Sequence, residues 1–176
     1  MKHFINLKDI PASDLRKIVE DAKKRKIKRE KFNTLDVDRD NPLKGKLLLQ
    51  MFEKASSRTR LSFYLAIKQL GGGTITLKAN ELHMGEGGES LADTAKILST
   101  YGDCFMLRAD SDKKIEEFSK HLSIPIINGL SPLSHPTQVL SDIFTVEEIK
   151  KKPISKLNIC WIGDSNNVLN SLIAAS

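Results

Sequence analysis

Side chains that could hold an anion recur where apolar, strand-like runs of the sequence end. Residues 53–60, Glu-Lys-Ala-Ser-Ser-Arg-Thr-Arg, follow the run at 46–52. Arg108 follows a second run, and residues 134–138, Ser-His-Pro-Thr-Gln, come after a third. Guanidinium, hydroxyl, imidazole and amide groups donate hydrogen bonds to phosphate and carbonyl oxygens. No nucleophile is paired with a base, so these residues predict an anion cradle with polarising donors.

The segment 56–59 is the most informative of these. It lies at a predicted strand-to-helix turn, where backbone N–H groups and the helix dipole favour a phosphate. Three hydroxyl groups add short donors, and Arg58 adds a planar fork that can grip phosphate bidentately. One such segment alone is more often a capped helix with surface arginines. His135 precedes Pro136 at a predicted helix start on the same edge, and this agreement favours a site.

The elements that must position these side chains alternate along the chain. An apolar run such as 46–52 is typical of a strand buried on both faces. Strands that alternate with helices predict βαβ units, so we expect an α/β fold: a doubly wound parallel sheet with helices on both faces. Strands are predicted at 46–52, 74–77, 104–107 and 124–127, and helices from Ser13, at 59–70, about 90–101, 112–122 and 136–148.

Smaller signals set the ends and faces of these helices. Ser13 is predicted to cap the first helix. The glycines at 71–73 are predicted to end the helix at 59–70, with Leu61, Leu65 and Leu70 facing inward.

The sequence pattern changes after residue 148. Residues 149–156 are predicted to be a linker, 157–162 a strand, and Asn166 the start of a helix. One βα unit cannot bury its own core. We therefore expect a domain at 1–148, a linker at 149–156, and the truncated start of a second similar domain at 157–176, within a longer natural protein.

The composition is that of a globular protein. The 176 residues are 40% hydrophobic and 28% charged, which excludes collagen-like, disordered and disulfide-scaffold classes. No apolar run approaches the roughly 20 residues of a membrane span, and the N-terminus lacks a signal-peptide pattern. Cys104 and Cys160 are predicted to be buried, reduced thiols, as in the cytoplasm.

The charge pattern and the motifs limit the classes of binding partner that the sequence predicts. The net charge is +6, and a basic run at 23–31 invites a nucleic-acid interpretation. A solvated helix end is the better interpretation, because no aromatic residues interleave the basic ones. Nucleotide and dinucleotide glycine motifs are absent. No known metal-ligand spacing occurs among Glu81, His83, Glu86 and Glu89, so we expect no bound metal. Taken together, these observations predict no cofactor, no nucleic-acid partner and no membrane association.

Three motifs together resemble the aspartate/ornithine carbamoyltransferase family. Residues 52–60, Phe-Glu-Lys-Ala-Ser-Ser-Arg-Thr-Arg, resemble its phosphate loop. Residues 135–138, His-Pro-Thr-Gln, resemble its second motif, and 88–95, Gly-Glu-Ser-Leu-Ala-Asp-Thr-Ala, a third. Their order and spacing make the resemblance specific, and it extends from near residue 1 to residue 176.

Two features favour the ornithine branch of that family. Residues 161–168, Trp-Ile-Gly-Asp-Ser-Asn-Asn-Val, resemble its Gly-Asp-x-Asn-Asn segment, and 127–130 also resemble ornithine enzymes. The aspartate branch has a lysine where this chain has Gly87. Thr137, in contrast, is the residue that aspartate enzymes carry.

Other positions depart from the family pattern. Ala55 replaces a proline, and Ser57 replaces a threonine while keeping the hydroxyl group. His83 stands approximately where the family has a glutamine that reaches a neighbouring subunit's site.

The resemblance implies carbamoyl transfer from carbamoyl phosphate to the side-chain amine of L-ornithine, giving L-citrulline and phosphate, in arginine biosynthesis. Arg108, His135 and Thr59 would polarise the carbamoyl carbonyl, Gln138 would accept from the carbamoyl amide, and Asn167 would bind ornithine. The residues implied to bind carbamoyl phosphate are Ser56, Ser57, Arg58, Thr59, His83, Arg108, His135 and Gln138. The catalytic set is Arg58, Thr59, Arg108, His135 and Gln138.

The resemblance also implies a homotrimer, or a multiple of trimers, with shared sites. Three alternatives stay open at this point. They are an aspartate carbamoyltransferase of pyrimidine synthesis, a non-catalytic anion-binding or assembly fragment, and a nucleic-acid binder acting through residues 23–31.

Overall fold

Four parallel strands form a sheet in the computed structural model, which describes residues 3–78 and 88–176. The strand order is β2-β1-β3-β4, and every pairing is parallel. Helices lie on both faces, which confirms the predicted α/β class. The strands are β1 (Leu47–Phe52), β2 (Gly73–Lys78), β3 (Cys104–Arg108) and β4 (Ile126–Leu130). The helices are α1 (Ala12–Lys28), α2 (Ser57–Gln69), α3 (Leu91–Tyr101), α4 (Asp112–His121), α5 (Pro136–Lys150) and α6 (Asn167–Ala175).

The strand order places a topological switch between β1 and β3. From β1 the chain steps outward through α2 to β2, then crosses back through α3 to β3 on the other side of β1. Phe52 and Arg108 are register partners at the carboxyl ends of these two central strands. Ligands in open α/β sheets bind in the crevice at such a switch point.

The larger of two hydrophobic clusters in the described chain lies between the sheet and helices α3 and α4. Phe105 and Phe118 are fully buried there, with ring centroids 5.3 Å apart. Leu49, Met51 and Leu107 point to the same face, as expected for alternate residues of neighbouring strands. This packing helps to hold the carboxyl ends of β1 and β3 next to each other.

The opposite face carries a second core that joins α1, α5 and α6. It is built on Leu7, Val19, Val139 and Ile143, all buried. The N-terminal segment reaches this side of the sheet edge, because Phe4 pairs in parallel with Ile127 of β4.

The α2–β2 side is much more exposed. No residue of α2 is buried, and β2 has no buried position. The prediction that Leu61 faces inward is wrong, since its side chain is 56% exposed. β2 is the edge strand of the described sheet, so no further layer covers the outer side of α2.

The glycines at 71–73 end α2 as predicted. Leu70 is the C-cap, and Gly71 follows with a φ of +87°. A Cβ at residue 71 would lie 1.4 Å from Oδ1 of Asn41, so the backbone there admits only glycine.

Three further predictions need correction. Residues 157–162 form no strand, because no neighbouring strand of the described chain is available to pair with them. Cys160 is consequently exposed, not buried, while Cys104 is half-buried in β3 and burial raises its pKa to about 11. Ser13 does not cap α1, which begins one residue earlier after Pro11.

The linker prediction overlaps α5. The helix continues to Lys150, and Lys151 then takes a left-handed conformation. Among the described residues, no helix is long and apolar enough to cross a bilayer.

Candidate functional site

A cleft of about 810 Å³ opens at the carboxyl edge of the sheet, at the switch between β1 and β3. One side, here called the α2 wall, consists of residues 55–63, which are the loop before α2 and the first helical turns of α2. The other side, the α5 wall, is formed by 130–142 with the start of α6. The lining residues are Ala55, Ser56, Ser57, Arg58, Thr59, Ser62, Phe63, Arg108, Leu130, His135, Thr137, Gln138, Ser141, Asp142, Asn167 and Val168.

The α2 wall presents an uncapped helix N-terminus to the cleft. Ser56 is the N-cap residue, with extended backbone, and it makes no side-chain capping bond. Its hydroxyl oxygen instead accepts a hydrogen bond from Arg108 at 3.1 Å. The first N–H groups of α2 therefore have no side-chain acceptor from their cap, and Arg58 is exposed beside them. This is the arrangement that binds anions at helix N-termini.

Arg108 lies between the two walls at the end of β3. Its Nη1 donates to Ser56 Oγ at 3.1 Å and contacts Thr59 Oγ1 at 3.4 Å. Its Nε is buried and has no hydrogen-bond partner among residues 3–78 and 88–176. A buried guanidinium N–H without a partner is costly unless a ligand satisfies it.

His135 occupies the corresponding place on the α5 wall. It is the N-cap residue of α5, directly before Pro136 at the first helical position. Its Nδ1 is buried and also lacks a partner in the described part of the chain. Burial and the nearby Arg108 charge lower the pKa of the imidazole from its ordinary value of 6.5, and Asp142 opposes them. The ring is therefore neutral at pH 7 and can donate one hydrogen bond without adding a charge.

Gln138 and Asp142 face each other one turn apart on α5. The Gln138 Nε2 donates to Asp142 Oδ1 at 2.8 Å. This bond leaves the amide oxygen of Gln138 as the group that can accept from a ligand.

Residues 131–135, here called the histidine loop, are held by a buried amide. Asn128 is 1% exposed, and the two N–H groups on its Nδ2 are shared among three acceptors: the Ile5 carbonyl at 3.1 Å and the Ser131 and Ser134 hydroxyls at 3.0 and 2.9 Å. The loop also closes on itself through the Ser131 N–H, which donates to the Ser134 carbonyl. The backbone that carries His135 is thus tied to β4 and to the N-terminal segment.

The α2 wall has one corresponding support, at Glu53. Glu53 follows β1, and its nearly buried carboxylate accepts from the Asp110 N–H at 2.8 Å and from Lys114 Nζ at 2.5 Å. Its own N–H donates to the Arg108 carbonyl at 3.1 Å. Glu53 therefore joins the loop after β1 to the loop after β3, below the residues that line the cleft.

All but one of the predicted site residues line this cleft; His83 lies outside the described residues, as do Glu81 and Glu86. The functional roles of all the predicted site residues remain predictions. Sequence reasoning missed Glu53 as a support, and it missed Ser141 and Asp142 as lining residues. Residues three and four positions apart share one face of a helix, so the spacing from Gln138 could have indicated Ser141 and Asp142.

The basic run at 23–31 is largely paired with acidic side chains. Lys23 contacts the buried Glu147, Lys26 contacts Glu148, and Arg29 contacts Asp38. Arg25 pairs with Asp21, Asp38 and Asp40. Four of the seven basic side chains of the run are therefore paired with acidic side chains of the described chain.

Fold and site together define an α/β domain with a cleft at the switch point of a parallel sheet, lined by hydroxyl, guanidinium and imidazole groups. Residues 2–148 match the family described as "Aspartate/ornithine carbamoyltransferase, carbamoyl-P binding domain". The chain belongs to this family.

Relatives with solved structures or curated names agree with that assignment. The chain is 43% identical over 176 residues to the ornithine carbamoyltransferase of Brucella ovis, covering 100% of this chain and 54% of that protein. The structure of the Pyrococcus furiosus ornithine carbamoyltransferase superposes with a TM-score of 0.88 at 39% identity, over 99% of this chain and 53% of that one.

The anabolic enzyme of Campylobacter jejuni gives a TM-score of 0.83 at 37% identity, over 99% of this chain and 54% of that one. The chain thus spans about half the length of the relatives that it matches.

Proposed function

We propose that this chain carries the carbamoyl phosphate half of an ornithine carbamoyltransferase site, which transfers the carbamoyl group to the side-chain amine of L-ornithine. The observation that carries the proposal is that two of the buried polar atoms without partners in the described chain, Arg108 Nε and His135 Nδ1, belong to residues that line this cleft. They flank a cleft whose other wall is an uncapped helix N-terminus. Such a site suits a small molecule with a phosphate at one end and a carbonyl at the other.

The reaction needs charge stabilisation at two places. The neutral amine attacks the carbamoyl carbon, a C–N bond forms, and the bond from that carbon to the phosphate oxygen breaks. Negative charge grows first on the carbonyl oxygen and then on the departing phosphate. We assign the carbonyl oxygen to Arg108, Thr59 and His135, where donors held in place lower the barrier.

The phosphate and the carbamoyl amide take the remaining groups. We assign the phosphate to Ser56, Ser57, Arg58 and Thr59 at the start of α2, where backbone N–H groups and the arginine fork act together. The carbamoyl amide donates to the oxygen of Gln138, since the Gln138 nitrogen is already turned to Asp142.

We assign ornithine as the acceptor amine on two grounds: the names of the relatives and the position of helix α6. The relatives reported above are named for ornithine, and Asn167 lines the cleft from the start of α6. We assign Asn167 to ornithine, and His83 to carbamoyl phosphate at a neighbouring subunit's site. The proposed domain division is 1–148 for carbamoyl phosphate, 149–156 as linker, and 157–176 as the start of the ornithine domain.

Assembly, pathway and compartment follow as parts of the same proposal. Leu61, Tyr64 and Ile75 expose apolar surface on α2 and β2, which is the surface that we propose is covered in a homotrimer. The relative named anabolic supports a place in arginine biosynthesis. Two free thiols support the cytoplasm. Light scattering of the protein tests the trimer directly.

Calorimetric titration of carbamoyl phosphate into the chain tests the central claim, with inorganic phosphate as the comparison ligand. Arg58→Ala should weaken binding by about 30-fold or more, because it removes a charge-assisted phosphate contact. Arg39→Ala is the matched control, since Arg39 is exposed and does not line the cleft. Wild-type affinity in folded Arg58→Ala would contradict the proposal.

The amine is tested at the full natural length of the protein. Citrulline should form from ornithine and carbamoyl phosphate, and no product should form from aspartate. Carbamoylation of aspartate alone would establish the aspartate alternative instead.

A further inference from the structure

Side chains of helix α6 hold the histidine loop by hydrogen bonds to the backbone of the loop. The Asn167 Nδ2 donates to the Ser131 carbonyl at 2.9 Å. One turn later, the Asn170 Nδ2 donates to the Leu133 carbonyl at 3.1 Å. Two side-chain amides at i and i+3 on one helix face therefore bind two carbonyl groups of the same loop, two residues apart.

The third bond of this set reaches His135 itself. Ser171 Oγ accepts a hydrogen bond from the His135 N–H at 2.8 Å. Ser171 is 1% exposed and is the buried residue of α6. A buried hydroxyl that accepts from a backbone N–H fixes that backbone more firmly than an exposed one, because water cannot take its place.

His135 depends on this anchor because its ring has little other support. Its carbonyl accepts the first bond of α5, from the Val139 N–H at 3.3 Å. Pro136 follows and has no N–H to donate. The ring Nδ1 has no partner in the part of the chain that the structure describes. The position of the imidazole therefore depends on its backbone, and the N–H of that backbone is held by Ser171.

We infer that Ser171 is a positioning residue for His135, fixing the backbone from which the imidazole reaches the cleft. The inference rests on the proposed function, in which His135 polarises the carbamoyl carbonyl. Asn167, assigned to ornithine, lies on the same helix one turn before Ser171.

The test compares Ser171→Ala with Ser176→Ala, a matched loss of a hydroxyl at the exposed end of the same helix. The first measurement needs no substrate: NMR of ¹⁵N-labelled histidine in this chain follows the His135 ring signals and their titration. We expect Ser171→Ala to shift those signals and their titration midpoint, and Ser176→Ala to leave both unchanged.

The second measurement uses the protein at its full natural length. Ser171→Ala should lower kcat by about 10- to 100-fold, the range for a catalytic group displaced by an ångström or less. KM for carbamoyl phosphate should stay near the wild-type value, since the α2 wall holds the phosphate. A merely destabilising change would also lower apparent kcat at constant KM by reducing the folded fraction, so kcat is expressed per folded protein and the His135 signals report the displacement.

Ser171→Cys keeps the size of the side chain with a weaker acceptor, so it should show an intermediate kcat and smaller shifts of the His135 signals. Unchanged His135 signals in folded Ser171→Ala overturn the inference. If Ser171→Ala does not fold, unchanged signals in Ser171→Cys overturn it equally. An unmodified full-length protein that makes no citrulline overturns the proposed function instead, and the substrate-free NMR comparison still decides the role of Ser171.

Discussion

The two walls of the cleft are built in different ways. The α2 wall is exposed, its helix has no buried residue, and its N-terminus is uncapped. The α5 wall rests on buried polar groups, with Asn128 beneath the histidine loop and Ser171 behind it. One wall leaves its donors open to a ligand, and the other holds its donor in one direction. This difference suits a site that must both capture an anion and orient a carbonyl group.

The largest expected effect comes from removing the residue that the two walls share. Arg108→Ala at full natural length should lower kcat for citrulline formation by about 100- to 1000-fold, since it deletes a donor that we assign to the carbonyl oxygen. Arg39→Ala should leave kcat unchanged. A loss below threefold in a folded Arg108→Ala protein would mean that the two walls act without this guanidinium.

Asn128→Ala should break the α5 wall alone. It removes the amide donor that the Ile5 carbonyl and two buried serine hydroxyls share, at a cost of about 2–4 kcal/mol in the free energy of unfolding. Urea unfolding measures this loss, and Asn33→Ala on the surface is the control. Equal stability of both variants would show that the amide is not what secures the histidine loop.

Glu53→Gln should loosen the α2 wall by less. The amide keeps an acceptor for the Asp110 N–H but loses the charge that holds Lys114. We expect phosphate affinity to fall by about 3- to 10-fold, because the loop after β1 is no longer pinned to α4. Calorimetry with inorganic phosphate gives the affinity, with the exposed Glu116→Gln as control. A change in kcat with no change in phosphate affinity would contradict the proposal that Glu53 supports the α2 wall.

The smallest effect concerns pH. The pKa of His135 is already lowered, so the unfolded chain binds more protons, and stability falls as the pH drops below 6.5 toward the folded pKa. Asp142→Asn removes the carboxylate that opposes this shift, while its amide oxygen still accepts from Gln138. The His135 pKa should therefore fall further, and the loss of stability below pH 6.5 should grow. An NMR titration in which the pKa rises instead would contradict this arrangement.

The two walls also differ in how well the sequence predicted them. The hydroxyls and arginine at 56–59 are contiguous, so a strand-to-helix turn predicted the α2 wall directly. The supports of the α5 wall come from residues far apart in the chain, such as Ile5, Asn128 and Ser171. No local pattern indicates that a serine on α6 accepts from the N–H of His135, 36 positions earlier.

The errors have a similar cause. The apolar pattern of 157–162 is typical of a strand, but a strand needs a neighbour to pair with, and the described chain offers none. Leu61 has the spacing of an inward-facing residue, yet β2 is the edge strand among the described residues and Leu61 is exposed.

The sequence by itself determined the alternation of strands and helices, the βαβ class, and the residue types at the strand ends. These depend on local periodicity and on turns, which short segments carry within themselves. Only the tertiary structure decided that β1 and β3 are neighbours, that Arg108 reaches Ser56 across 52 positions, and that α6 returns to hold His135. Those choices depend on burial and on pairing between distant residues, and neither property can be read from a short stretch of chain.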